Sequence, residues 1–361
     1  MPRPPGIPAG FPYNYRFEKM LHRKEPLVSK AIGQAPADNA PRIEEVLKGQ
    51  DVAVLIPCYN EEITIAKVVA DFRAVLPLAR IYVYDNNSSD DTARLAAEAG
   101  AIVAHEPRQG KGNVVRQMFR EIEARYYLMV DGDDTYPAES APELLRPLAQ
   151  DEADMTVGDR ISNGSYQKEN ERPFHGFGNN LVRWMIRRMY GYGFEDVMTG
   201  YRAMNRAFVK TVPIVSEGFQ IETEISIHAV DKRWRVCDVP IAYRDRPEGS
   251  QSKLSTVGDG ILVLRAIASL FKDYKPLAFF GLLALLFVVL GLVAGVPVIA
   301  EYFDTGRVER LPSAVLAVAF VLCGALSFTA GLILDTVAKS TRKLWELNVY
   351  AAYETERLLE R

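Results

Sequence analysis

Cysteine is scarce in this chain: three among 361 residues, at positions 58, 237 and 323, with no CxxC pair. That excludes a disulfide framework and suits a reducing cytoplasm for the soluble part. Net charge is small as well, 43 basic against 46 acidic residues for a balance of -3. The basic residues are scattered and form no stripe, which argues against nucleic acid as a partner. The first residues include no apolar run of the length a secretory signal needs, so export of the folded part is not expected. Hydrophobic residues are plentiful, at 48%. They suffice for the core of one large domain or two modest ones.

Residues 1–48 are rich in proline, glycine and charge without periodicity, and read as an extended arm. From Asp51 onward the pattern changes. VAVLIP, IYVYD, AIVAH and YYLMVD are short apolar runs of buried strands, and helical patterns over 63–75, 92–99 and 113–124 separate them. The alternation predicts an α/β domain over 49–254 with a doubly wound, mostly parallel sheet. Ligands of such sheets bind beyond the carboxyl ends of the strands. That edge carries Tyr59, Asn60, Glu61, Asp85, Asn86, Asp131 and Asp133.

Residues 255–276 show apolar positions at helical spacing with charges opposite, as in a surface helix or one lying at a membrane interface. Two charge-free stretches follow, 277–300 and 312–334. At about 1.5 Å per residue each is long enough for a hydrocarbon layer about 30 Å thick, giving a two-helix anchor over 277–335. Basic residues flank the pair on its outer sides (Lys272, Lys275, Lys339, Arg342, Lys343), and the short loop holds three acids. The bias puts the catalytic domain and both termini in the cytoplasm. The last stretch, 336–361, reads as a charged helix, either a homo-oligomer contact or a cap on the second span.

Four constellations carry chemistry. DGDD at 131–134 follows a strand, and two carboxylates one residue apart can share one hard cation, Mg or Mn, whose other ligands are phosphate oxygens. PCYNEE at 57–62 sets an aromatic ring, an amide and a carboxylate where a planar base could stack, although Asn60 or Glu61 could equally cap the following helix. YDNNSSDDT at 84–92 offers Asp85 to a base or ribose, with Asn86 beside it, while Ser88 to Asp91 suit caps. RQGKGN at 108–113 is no P-loop, because Lys111 is followed by glycine instead of Ser or Thr. It is either a turn presenting Lys111 to a nucleotide or a plain helix start.

Together these motifs resemble glycosyltransferase family 2 with its GT-A fold, and within it the polyprenyl-phosphate sugar synthases similar to dolichol-phosphate mannose synthase. GDR at 158–160, EDVMTGYRAMNR at 195–206, GFQIETE at 218–224 and VPIAYRDRPEGSQSKL at 239–254 add to the likeness. The resemblance implies that Pro57, Tyr59, Glu61 and Asp85 bind the donor nucleotide, with Asn86, Lys111 and Gly132 alongside. It implies a metal on Asp131 and Asp133, joined by Thr135, and phosphate contacts from Arg160, Arg202 and Lys253. The chain departs from the branch in YDNN, where an acidic pair and glycine are usual, and in DGDDTYP, where glutamine often follows the second aspartate.

A lipid-phosphate acceptor is already anionic, so positioning and charge neutralisation dominate, with Arg202 as the clasp. A sugar-hydroxyl acceptor, as in extension of a lipid-linked glycan or polysaccharide, needs a base, and Asp196 is the candidate unless it is a salt-bridged structural carboxylate. A non-catalytic, nucleotide-binding assembly protein is the third reading. The intact DxD opposes it.

Overall fold

The computed structural model describes residues 28–30, 47, 51–162, 175–191, 193–218, 220–247, 268–269 and 271–359. Most of the arm, residues 255–267 of the amphipathic segment, and Lys253 lie outside the described residues.

Eight strands make one sheet: β1 (Val28–Lys30), β2 (Val52–Cys58), β3 (Arg80–Asp85), β4 (Ile102–His105), β5 (Tyr126–Met129), β6 (Met155–Asp159), β7 (Arg202–Asn205) and β8 (Val236–Pro240). Their order is β1-β8-β6-β7-β5-β2-β3-β4. Only β7 runs antiparallel, between β5 and β6. Three residues of the expected arm thus serve as an edge strand, paired in parallel with β8.

Helices α1 (Ile65–Val75), α2 (Thr92–Glu98) and α3 (Lys111–Glu121) are the crossovers of the first half, within two or three residues of the periodic segments in the sequence. Next come α4 (Ala141–Ala149), α5 (His175–Tyr190), α6 (Arg206–Thr211) and α7 (Ile221–Asp231). The sheet is covered on both faces, so β2 alternates between two cores. Ala53 and Leu55 join α3, α5 and α7 through Met118, Ile186 and Ile225, while Val54 and Ile56 join α1 and α4 through Val69, Phe72 and Leu145. Double coverage is why the strand reads as a continuous apolar run. Each such side chain contributes roughly 1.5–3 kcal/mol on burial.

Two long helices end the chain, α8 (Pro276–Thr305) and α9 (Leu311–Leu359). Their apolar windows have mean hydropathy 2.9 and 2.3. Leu285, Val293, Leu322 and Leu326 stand exposed along them, as lipid-facing residues do. Where they touch, a Cβ on Gly291 would sit 2.9 Å from Val321 Cγ2, so a small residue lets the backbones approach. Helix α8 stops at Gly306, whose left-handed φ of 66° closes the helix end.

The boundary expected between the second span and a separate C-terminal helix at 335/336 does not exist. Helix α9 runs unbroken for 49 residues, about 70 Å at 1.5 Å per residue. Its extension does not merely cap the span: Trp345 and Val349, 7% and 3% exposed, belong to the same core cluster as α3 and α7. The extension of a helix long and apolar enough to cross a membrane therefore completes the core of the α/β domain.

Candidate active site

The carboxyl ends of β2, β3 and β5 converge, as the parallel topology requires. Asp131 follows β5 by two residues, and its Oδ1 accepts from Lys111 Nζ at 2.5 Å. The same ammonium donates to Glu222 Oε1 at 2.5 Å. Burial alone would lower the Lys111 pKa, but the two carboxylates outweigh it and hold the ammonium strongly charged. On the other side, a Cβ at Gly200 would lie 2.6 Å from Asp131 Oδ2. Only glycine lets the TGYR backbone approach the carboxylate this closely.

Asp133 is 4% exposed. Its Oδ1 accepts from the hydroxyl and the N–H of Thr135 at 2.6 and 3.2 Å, and its Oδ2 accepts from Arg246 Nη2 at 2.5 Å. Burial, and next the charge of Asp131, push its pKa up, against the pull of Arg246 and Thr135. Asp134 turns away in a left-handed conformation (φ 58°) and pairs with Lys67 at 2.8 Å. Gly132 is walled in: its carbonyl accepts from Thr64 Oγ1 at 2.7 Å, and a Cβ there would meet Cys58 Sγ at 2.7 Å. It sets the turn between the carboxylates and leaves no side chain for a nucleotide.

Asp85 is 6% exposed. Its Oδ2 accepts from Ser88 N at 3.2 Å and faces His105 Nδ1 at 3.3 Å, while buried Oδ1 has no partner among the described residues. An unpaired buried acceptor costs about 1–3 kcal/mol, so it marks a place where a ligand donor belongs. Tyr59 stands exposed beside it at the end of β2, with Pro57 and Glu61 half-buried. The two loops are interlocked: Asn60 N donates to Ser88 Oγ at 2.9 Å, Ser89 N to Asn60 Oδ1 at 2.8 Å, and Glu61 N to Thr92 Oγ1 at 2.8 Å.

Five more residues expected at the site have side chains engaged within the fold. Asn86 spends its side chain on the scaffold: Nδ2 donates to the carbonyls of Glu106 and Arg108, both at 2.8 Å, and Oδ1 accepts from Gly110 N at 2.7 Å and Gln109 Nε2 at 3.3 Å. With both donors and both acceptor sites taken, it holds the glycine turn and no nucleotide. Thr135, 1% exposed, gives its hydroxyl proton to Asp133 and braces that carboxylate. Arg160 and Asp196 hold each other through two bonds, Nε to Oδ2 at 2.6 Å and Nη2 to Oδ1 at 3.1 Å. The Arg160 guanidinium lies 5.2 Å over the Tyr243 ring, and Asp196 is fully buried, which matches the salt-bridged structural carboxylate weighed against a base in the sequence. Arg202 also has no exposure, and donates to the carbonyls of Thr199 at 3.0 Å and Val197 at 2.6 Å. It shapes the TGYR turn from behind, and its buried Nη1 has no partner among the described residues. Lys253 lies outside the described residues.

Three residues were missed from sequence. From far along the chain, Glu222 shares the Lys111 ammonium with Asp131, and Arg246 pairs with Asp133. Tyr136 gathers Gly200 N and Arg160 Nη1 on its hydroxyl at 3.1 and 3.2 Å. The GFQIETE and YRDRP motifs contain the first two, but only the closed fold gives their partners.

The fold and its acidic edge define a glycosyltransferase of the GT-A type, and comparison with known proteins agrees. Residues 53–212 match the family description "Glycosyl transferase family 2". The chain is 32% identical over 296 residues to Glycosyltransferase AglJ of Haloferax volcanii, covering 81% of this chain and 95% of that protein. It is 29% identical over 225 residues to the Dolichyl-phosphate hexose transferase of the same organism, 62% of this chain and 96% of that one. Among solved structures, glucosyl-3-phosphoglycerate synthase from Mycobacterium tuberculosis with UDP aligns at TM-score 0.54 and 20% identity, over 66% of this chain and 85% of that one. That enzyme has also been solved with Mn2+, UDP and glucosyl-3-phosphoglycerate, TM-score 0.53. The chain belongs to glycosyltransferase family 2.

Proposed function

We propose that the chain transfers a hexosyl group from a nucleoside diphosphate sugar to a polyprenyl phosphate at the cytoplasmic face of a membrane. Asp85, with its unpaired acceptor, and the ring of Tyr59 take the base. Lys111 and Arg246 neutralise the diphosphate side, and Arg246 is the guanidinium that does the work expected of Arg160 and Arg202. The paired oxygens of Asp131 and Asp133 suit a hard divalent cation, because Asp133 ionises reluctantly beside Asp131 without one. Such a cation, Mg or Mn, supplies charge that offsets the diphosphate leaving group. A phosphate oxygen of the acceptor attacks the anomeric carbon as the bond to the diphosphate breaks, with inversion. No proton needs removing, so this route asks for no base at Asp196.

One observation carries the lipid acceptor: a cleft of about 860 Å3 between the catalytic domain and the start of the spans. Its walls include Leu334, Val337 and Ala338 on the apolar side, and on the polar side Lys232 and Arg342 paired with Asp231, Lys272 paired with Asp273, and Glu224. The chain of an amphiphile fits the apolar wall, and its phosphate end would compete with Asp231 and Asp273 for the three cations. The loop between α6 and α7, which forms one wall, touches the Lys111 turn on its other side through Gly112 N and the Glu217 carbonyl, 2.9 Å apart. The dolichyl-phosphate relative supports the same acceptor class.

The test incubates purified protein with a panel of nucleotide sugars, Mn2+ or Mg2+, and either polyprenyl phosphate or a lipid-linked saccharide. A product mass equal to hexose plus polyprenyl phosphate is expected. Transfer only to the saccharide would overturn the phosphate acceptor, and no transfer from any donor would overturn the enzyme reading.

A further inference from the structure

Helix α7 has its two ends in two different places. At the first, Glu222 accepts from Lys111, which in turn binds Asp131. Two residues on, Glu224 accepts from the N–H groups of Val215 and Ser216 at 3.0 and 2.9 Å. That bracing holds a strip whose Glu217 carbonyl accepts from Gly112 N at 2.9 Å. A Cβ at Gly112 would lie 2.0 Å from the Ser216 carbonyl oxygen, so the strip and the Lys111 turn are in direct contact.

At the far end, roughly 15 Å along the helix, Asp231 accepts from Arg342 Nη2 at 2.5 Å. The His228 ring meets Trp345 edge-on with centroids 5.7 Å apart. Trp345 stands at the same 5.7 Å from Trp234, and its Nε1 donates to the Thr211 carbonyl at 3.3 Å. All eleven residues of α7 are buried. A close-packed helix transmits a displacement at one end to the other.

We infer that Trp345 and Arg342, on the extension of the second span, are positioning residues for the donor site: they fix α7, and α7 fixes Lys111 against Asp131 through Glu222 and Glu224. The inference rests on the donor-site reading above. It makes the membrane helix part of the machinery that organises the nucleotide edge, in addition to its anchoring role. Neither residue lies at the acidic edge, so the effect passes through the elements they hold, α7 and the end of α6 at Thr211.

The experiment measures binding of UDP in the presence of Mn2+ by calorimetry on the full-length chain in detergent. This readout does not involve the acceptor cleft that Trp345 and Arg342 also line. Arg342→Ala and Trp345→Ala should weaken UDP binding roughly tenfold, the equivalent of about 1.4 kcal/mol. Trp345→Phe, which keeps a ring against His228, should recover most of it. Arg342→Ala combined with Glu222→Gln should bind no more weakly than Glu222→Gln alone, because residues acting along one path are not additive. Losses that multiply in the double variant would overturn the inference. So would wild-type affinity in Arg342→Ala, or a lowered melting temperature in Trp345→Ala with unchanged affinity. A wild-type chain that binds no UDP with Mn2+ would overturn the donor-site reading itself.

Discussion

Arg202→Ala separates a scaffold residue from a substrate contact. The guanidinium has no exposure and donates to two main-chain carbonyls, Val197 and Thr199. Burial pulls its pKa down to about 10, with Glu222 and Asp196 pulling the other way, so it remains charged at neutral pH. Hydrogen bonds to a charged group are worth about 1.5–3 kcal/mol each; the Thr199 carbonyl would lose its side-chain donor, and the Val197 carbonyl would keep only a long bond from Ser226 Oγ at 3.4 Å. A loss of roughly 3–6 kcal/mol follows, a large share of the 5–15 kcal/mol that typically holds a domain folded. The TGYR turn, pressed against Asp131 through Gly200, should relax at the same time. Melting of the detergent-solubilised chain, with donor and acceptor KM measured in parallel, reads both effects. The expected result is early melting with both substrates weakened together. Arg202→Lys should restore under half the stability, because one ammonium cannot reproduce the fork geometry. A variant that melts like wild type and loses only acceptor affinity would refute the scaffold role and restore the phosphate clasp.

Other substitutions probe other parts. Asp133→Asn keeps the shape but removes a charge from the carboxylate pair; transfer should fall by at least a hundredfold with melting nearly unchanged, and metal-dependent turnover near wild type would contradict the assignment. Asp238 is 4% exposed, and its pKa is pushed up to about 7 by burial and then by Asp159, Glu195 and Asp196, against the Glu195 N–H bond. The folded chain therefore keeps a proton there that the unfolded chain releases near pH 4, and stability falls as pH rises from 4 to 7, by up to about 4 kcal/mol. Asp238→Asn should remove that slope, so its melting temperature relative to wild type should climb across this window; a constant difference would show that Asp238 does not carry the slope. Truncation after Lys275 removes Trp345 and Val349 from the core, so the isolated domain should melt well below the full chain or fail to fold, and equal melting would show that the docked helix is dispensable.

The nucleotide half of the sheet was legible because β2, β3 and β5 are covered on both faces and read as unbroken apolar runs. Strand β7 was not: four residues, RAMN, carry too little period to announce an antiparallel strand, and they sit inside a motif that draws the eye to chemistry. The same blind spot hid the surroundings of Arg202, Arg160 and Asp196. A cation and an acid in a conserved-looking family motif suggest phosphate and base, while burial and a bidentate pair become visible only when β6 and β7 lie together. Asp131 and Asp133 were legible from position alone, directly beyond a strand end. Glu222, the second acid on Lys111, and Arg246, the partner of Asp133, were not, being 111 and 113 residues away in sequence from the groups they bind. The docking of α9 was also hidden: Trp345 and Val349 are two apolar residues in a charged helix, and nothing local says that they meet Trp234 and Phe208.

The most direct test of the proposed chemistry is nuclear magnetic resonance of the product formed from a nucleotide sugar and polyprenyl phosphate. Transfer to the lipid phosphate predicts coupling between the anomeric proton and phosphorus, with the anomeric configuration opposite to that of the donor. An anomeric proton coupled to no phosphorus, with the sugar joined through a hydroxyl, would contradict it.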